Sequence, residues 1–127
     1  MPDKHAFLSA SSSHRWINCP PSAALCAKKP NNSSPYAQQG TDVHSLCEHK
    51  VLTALGQASR DPTESLIWFD EEMEDCTDQY CTYVMEQLQE TKKLCPDPQV
   101  LVEQRLDFSR WVPDAFGTGD CLIVADQ

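Results

Sequence analysis

The hydrophobic pattern of this chain changes period once, and that change limits what the chain can fold into. As far as Lys93 the apolar residues recur at helical spacing. Beyond Pro96, QVLVEQRLDF alternates instead, with Val100, Val102, Gln104 and Leu106 on one face and Leu101, Glu103 and Arg105 on the other. SRWVPDAFG is then rich in turn formers, and TGDCLIVAD reads as a second strand. Helices first and a hairpin last predict an α+β fold, with helices packed on a small antiparallel sheet or hairpin. Two strands alone are marginal in water without a third strand or a helical cover, and the outer edge of CLIVA offers unpaired backbone groups to a partner.

The strongest helical segment is GTDVHSLCEHKVLTALG, where Val43, Leu46, Cys47, Val51, Ala54 and Leu55 form a single stripe. Thr41 or Asp42 is its natural cap and Gly56 its stop. A second long helix runs from about Glu71 to Lys93, with Met73, Cys76, Tyr80, Val84 and Leu88 on one face. Near the start, a serine cluster caps a helix beginning at Ser12 or Ser13, and Pro20-Pro21 ends it. Pro21 opens another short helix through Ala23, Leu25 and Cys26. KPNNSSPYAQQG reads as a loop, and Trp16 and Trp111 as core or hairpin packing residues or, if exposed, as markers of a contact surface.

A length of 127 residues is one domain's worth, so residues 1–127 are expected to form a single domain. No apolar run approaches the roughly 20 residues of a membrane span. The polar start lacks the apolar stretch of an export signal, which predicts a cytoplasmic protein. Seven cysteines without a CxxC pair point to free thiols rather than disulfides or a zinc ribbon. Nineteen acidic against 10 basic residues give a charge of -9, a field that repels nucleic acid, so direct DNA binding is not expected. The acidity gathers in DPTESLIWFDEEMEDCTD, where carboxylates suit the first turn of a helix. The same residues, Glu71, Glu72, Glu74, Asp75 and Asp78, also offer a docking face for a basic partner.

His44 and Glu48 lie four residues apart and so share one face of the main helix, beside the apolar stripe. Asp120 follows two glycines at the start of the last strand. Taken singly, the first two form a local pair and the third caps a turn. Taken together, a helix that delivers His and Glu and a hairpin that delivers Asp can gather imidazole and oxygen ligands around magnesium or manganese.

Three segments carry a resemblance: HAFLSASSSHRWINCPPSAAL, YAQQGTDVHSLCEHKV and VEQRLDFSRWVPDAFGTGDCLIVAD. In this order they resemble the amino-terminal part of a phage-borne group of PD-(D/E)XK nucleases, the RecB-like exonucleases, most weakly in residues 57–98. The resemblance implies that His44 helps hold a metal, that Glu48 is the acid one turn later, and that Asp120 is the first metal-binding aspartate of the hairpin, with Glu103 also facing the site. It further implies a following strand with a second acid and, two residues on, a lysine. The acid completes the metal site; the lysine assists the attacking water and the phosphate charge.

The sequence stops at Gln127, before such a strand. Its two E-x-K triplets, Glu48-His49-Lys50 and Glu90-Thr91-Lys92, fall in helical segments ahead of Asp120 and do not supply it. Each missing group is worth roughly 10²-fold in rate or more. The expectation is therefore an incomplete PD-(D/E)XK core that requires no cofactor, retains weak magnesium or manganese binding, and acts by binding protein in a bacterial host cell. The expected partner is a host defence protein such as a CRISPR effector nuclease, which would make the chain an anti-CRISPR inhibitor. The competing expectation is the first part of a metal-dependent DNA exonuclease, active once completed by the acid and lysine. Pairing of the terminal strands across a twofold axis is a route to a homodimer.

Overall fold

The computed structural model describes residues 6–30 and 32–126, and within them the chain is α+β, with two paired antiparallel strands following the helices. Its contacts gather into two compact units, Met1–Asn32 with Gln104–Gly119, and Ser33–Glu103 with Asp120–Gln127. Among the described residues no helix is long and apolar enough to cross a membrane.

The second unit is built on two helices that pack on each other, α3 (Pro35–Ala54) and α4 (Glu71–Leu94). α3 starts about two turns earlier than a cap at Thr41 or Asp42 implies, so the second half of KPNNSSPYAQQG is helix rather than loop. Ser34 is the cap, its Oγ accepting the Ala37 N–H at 3.2 Å, and Pro35 fills the first helical position, where its missing N–H costs nothing. Thr41 and Asp42 are thus interior residues and not caps. Thr41 donates its hydroxyl back to the Ala37 carbonyl, and Asp42 reaches across to accept the N–H groups of Ile67 and Trp68, both at 2.9 Å. The carboxylate that might have opened a helix instead holds the loop leading into α4.

At its other end α3 stops as its sequence indicates. Gly56 has φ +75°, its N–H returns to the Thr53 carbonyl, and the Gln57 N–H returns to that of Leu52. This pair of bonds is a Schellman closure, which needs a left-handed residue at the position Gly56 occupies. Along the stripe Leu46 and Val51 are buried, Val43, Cys47 and Leu55 are half-buried, and Ala54 is exposed, because the last turn overshoots the packed seam.

α4 opens on Asp70, whose Oδ1 accepts the Met73 N–H at 2.7 Å, and Glu71, Glu72 and Glu74 complement the dipole of its first turn. Its inner face is Met73, Thr77, Val84 and Leu88, with Tyr80 half-buried. Thr77 takes the buried place expected of Cys76, which is exposed. Its hydroxyl is satisfied by the Met73 and Glu74 carbonyls at 2.8 and 3.0 Å, so a polar residue sits in the seam without an unpaired group. Lys50 joins the helices at their edge, with Nζ 2.6 Å from Asp78 Oδ1, 3.1 Å from Glu74 Oε1 and 3.0 Å from the Glu74 carbonyl.

The hairpin strands are β1 (Gln99–Asp107) and β2 (Phe116–Val124). Asp120 therefore lies in the middle of β2 and not at its start, because the ladder runs on through Gly117 and Gly119, neither of which has positive φ. In the first unit, a 3-10 turn (Ala10–Ser12) leads into α1 (Ser13–Asn18), followed by α2 (Pro21–Ala27) with Pro21 in its first turn. Ser12 precedes α1 but makes no side-chain cap; its hydroxyl meets that of Ser9 at 2.6 Å, and Trp16 Nε1 donates to the Ser9 carbonyl. The turn between the strands closes through Phe108 N–H to the Ala115 carbonyl, Arg105 stacks 4.3 Å over Phe116, and Trp111 is exposed rather than packed.

One substitution separates the early start of α3 from a start at Thr41, and a second tests the tie from α3 to the loop before α4. A Cβ added at Gly40 would meet nothing within 4 Å, so Gly40→Ala should stabilise the chain by about 1 kcal/mol in urea denaturation, as in a helix interior. Asp42→Ala should destabilise it by about 1–2 kcal/mol through the two N–H groups it abandons.

Candidate metal centre

The residues that position the candidate site all belong to the second unit. His44 and Glu48 project from adjacent turns of α3, Tyr80 comes from α4, Val102 and Glu103 from β1, and Asp120 and Cys121 from β2. They line one cavity of about 200 Å³, whose apolar wall includes Val43, Val51 and Val102.

Within it, donor atoms of His44, Glu103 and Asp120 all lie within 4.8 Å of one another. Among the described residues these three form the one group of His, Cys, Asp or Glu side chains placed to share an ion. His44 Nδ1 is 3.4 Å from Asp120 Oδ1, and both side chains are about half exposed, at 47% and 58%. Glu48 lines the same cavity outside that close triad.

Glu103 reaches the site by a local backbone departure. Strict alternation would turn Val102 and Glu103 to opposite faces, yet both line the cavity, and Glu103 has φ +51° in the midst of β1. Left-handed backbone costs a residue with a Cβ roughly 1–2 kcal/mol. The carboxyl also sits in an unfavourable field. Burial pushes its pKa up, the neighbouring charges of Asp120 and Glu48 push it further, and His44 only partly opposes them. Two unfavourable conditions at one residue, a strained backbone and crowded like charges, are the kind of feature that a bound ligand offsets.

The donor set is hard. The Cys47 and Cys121 thiols line the cavity but lie outside the close triad, and burial raises the pKa of both, with Asp120 adding to the effect at Cys121. Imidazole and carboxylate remain, a combination suited to manganese or magnesium. No lysine or arginine lines the cavity among the described residues. Lys50, the lysine of one E-x-K triplet, is held by Glu74 and Asp78, and Lys92 of the other lies in the last turn of α4.

The acidic docking face resolves into two groups. Glu71, Glu72 and Asp75 are exposed on α4, whereas Glu74 and Asp78 are engaged by Lys50. The seven cysteines are free thiols. Tyr80 and Cys47 are cavity residues that the sequence pattern assigned only to packing, and Cys121 is one that it placed only in the strand offered as an edge. The i, i+4 step from Cys47 to Val51 and the position of Cys121 beside Asp120 were the available signals.

Because its folded pKa is raised, Glu103 contributes most to stability below the ordinary glutamate range and loses that contribution as pH rises through the raised value. Glu103→Gln should therefore raise the Tm of metal-free protein at pH 7. Thermal melts across pH should show the gain vanishing as the pH falls below the ordinary glutamate value of about 4.3.

No solved structure matches the chain. A family model described as "Protein of unknown function (DUF2800)" matches residues 5–127, and the chain belongs to that family.

Proposed function

We propose that this chain carries the metal-holding part of a PD-(D/E)XK nuclease-like core, in which His44, Glu103 and Asp120 bind magnesium or manganese beside a phosphodiester. The observation that carries this reading is the convergence of their donor atoms within 4.8 Å, from one helix and two strands. The hard donor set supports it, as does the like-charge crowding at Glu103, which a divalent cation would relieve. In this reading Glu48 orients the site from one helical turn beyond His44. The ion would polarise a phosphoryl oxygen and lower the pKa of bound water. Hydrolysis then requires a second acid and a lysine beyond those that line this cavity.

A role confined to docking on a basic host protein, such as a CRISPR effector, draws on Glu71, Glu72 and Asp75. It draws less on Glu74 and Asp78, whose charge Lys50 already meets. The geometry therefore favours the metal reading over the inhibitor reading.

Manganese titration followed by thermal melting and by the electron paramagnetic resonance of free ion distinguishes the two. The wild type should be stabilised by about 2.7 kcal/mol at a hundredfold excess of ion over Kd. His44→Ala and Asp120→Ala should each abolish that gain, while Glu71→Lys combined with Asp75→Lys should leave it intact. A wild type that manganese neither stabilises nor binds would sink the metal reading.

A further inference from the structure

Tyr80 occupies an inward-facing position of α4, where a phenylalanine would fill the same space, and it lines the cavity that His44, Glu103 and Asp120 enter. Among the described residues its hydroxyl has no hydrogen-bond partner, although Thr77, one turn earlier on the same helix, has its hydroxyl fully satisfied. The Tyr80 hydroxyl is not a buried polar atom left unsatisfied, which among the described residues is Ser22 Oγ alone, so water reaches it and a ligand oxygen can take that water's place. The surroundings fix which form is present. Burial first, then the neighbouring Cys121, Cys47, Asp120 and Glu103, push its pKa up to about 12, so at neutral pH Tyr80 is a hydrogen-bond donor.

We propose that Tyr80 is a phosphate-binding residue of the metal cavity, its hydroxyl donating to a non-bridging oxygen of a phosphate ester held against the ion site. The inference rests on the metal reading above and extends it from the ion to its ligand. The cavity selects for an ester that arrives with a cation. Glu48, Glu103 and Asp120 all line it, so a phosphate alone meets carboxylates without a compensating lysine or arginine. Once a divalent ion offsets that charge, the phosphate needs a neutral donor to orient its remaining oxygens, and the tyrosine supplies one without adding charge.

The test compares wild type with Tyr80→Phe, using thymidine 5′-monophosphate as the probe and the broadening of its phosphorus resonance by protein-bound manganese as the readout. Manganese affinity, measured separately by electron paramagnetic resonance, should agree within about twofold between the two proteins, and Tyr80→Phe should melt no lower than wild type. The wild type should take up the nucleotide only when loaded with manganese, and Tyr80→Phe should bind it about tenfold more weakly, as expected for one lost hydrogen bond to a charged acceptor. Equal nucleotide affinity in the two proteins, no nucleotide binding by the manganese-loaded wild type, or a lower Tm of the variant would each overturn the assignment to Tyr80 while leaving the metal reading in place. Failure of the wild type to bind manganese would remove both.

Discussion

The packing of α3 against α4 is the interaction on which the second unit depends. Leu46 and Val51 on one helix and Met73, Thr77, Val84 and Leu88 on the other are its buried side chains. Burying such apolar side chains contributes about 1.5–3 kcal/mol each, more than any surface pair here can supply. The seam also fixes the rotation of both helices. With Leu46 and Val51 turned inward, His44 and Glu48 fall at its border, half in and half out of solvent, where an ion could reach them. With Met73, Thr77 and Val84 inward, Tyr80 falls on the same border from the opposite side. The polar ties are arranged around that seam: Lys50 to Glu74 and Asp78 at its edge, and Asp42 to the Ile67 and Trp68 amides at the loop before α4.

Polar residues in the second unit divide into those that meet their own needs and those that do not. Thr77, Asp42, Lys50 and Asp70 each have close partners within the chain and serve its stability. Glu103 and Tyr80 do not. One is a carboxyl placed among other carboxyls on left-handed backbone, and the other a phenol with no acceptor among the described residues, its hydroxyl open to water. Both belong to the same cavity. Their coincidence there, rather than the strength of either anomaly alone, makes the cavity the place to look for function.

Much of this organisation was legible in the sequence, and the misreadings have physical reasons. The change of period located the long helices and the hairpin, and the spacing of His44, Glu48 and Asp120 placed them on elements that do converge. The start of α3 was obscured because Ser34-Pro35 sits in a run whose composition reads as loop, although a serine followed by proline is also a helix opening. Asp42 looked like a cap because capping is local and visible in sequence, whereas the N–H groups that donate to it lie 25 and 26 residues away. Thr77 displaced Cys76 from the inner face because a hydroxyl that bonds back to its own helix is cheaper to bury than its polarity suggests. Period-two reasoning cannot foresee a left-handed residue, so it assigned Val102 and Glu103 to opposite faces. It also could not tell a glycine in a turn from one in a continuing strand, which moved Asp120 from the start of β2 to its middle.

That last displacement has a dynamic consequence. Strands fray from their ends, and terminal amides exchange with solvent through small openings that leave the interior of the element intact. Asp120 is the fifth residue of a nine-residue strand, with four residues on either side. A carboxylate at the first position would be released by each such opening, and its geometry would be re-formed at each closing. Held at the centre, it stays in register while Phe116 or Val124 exchanges, so the lifetime of the ligand geometry is set by the slower opening of the whole ladder.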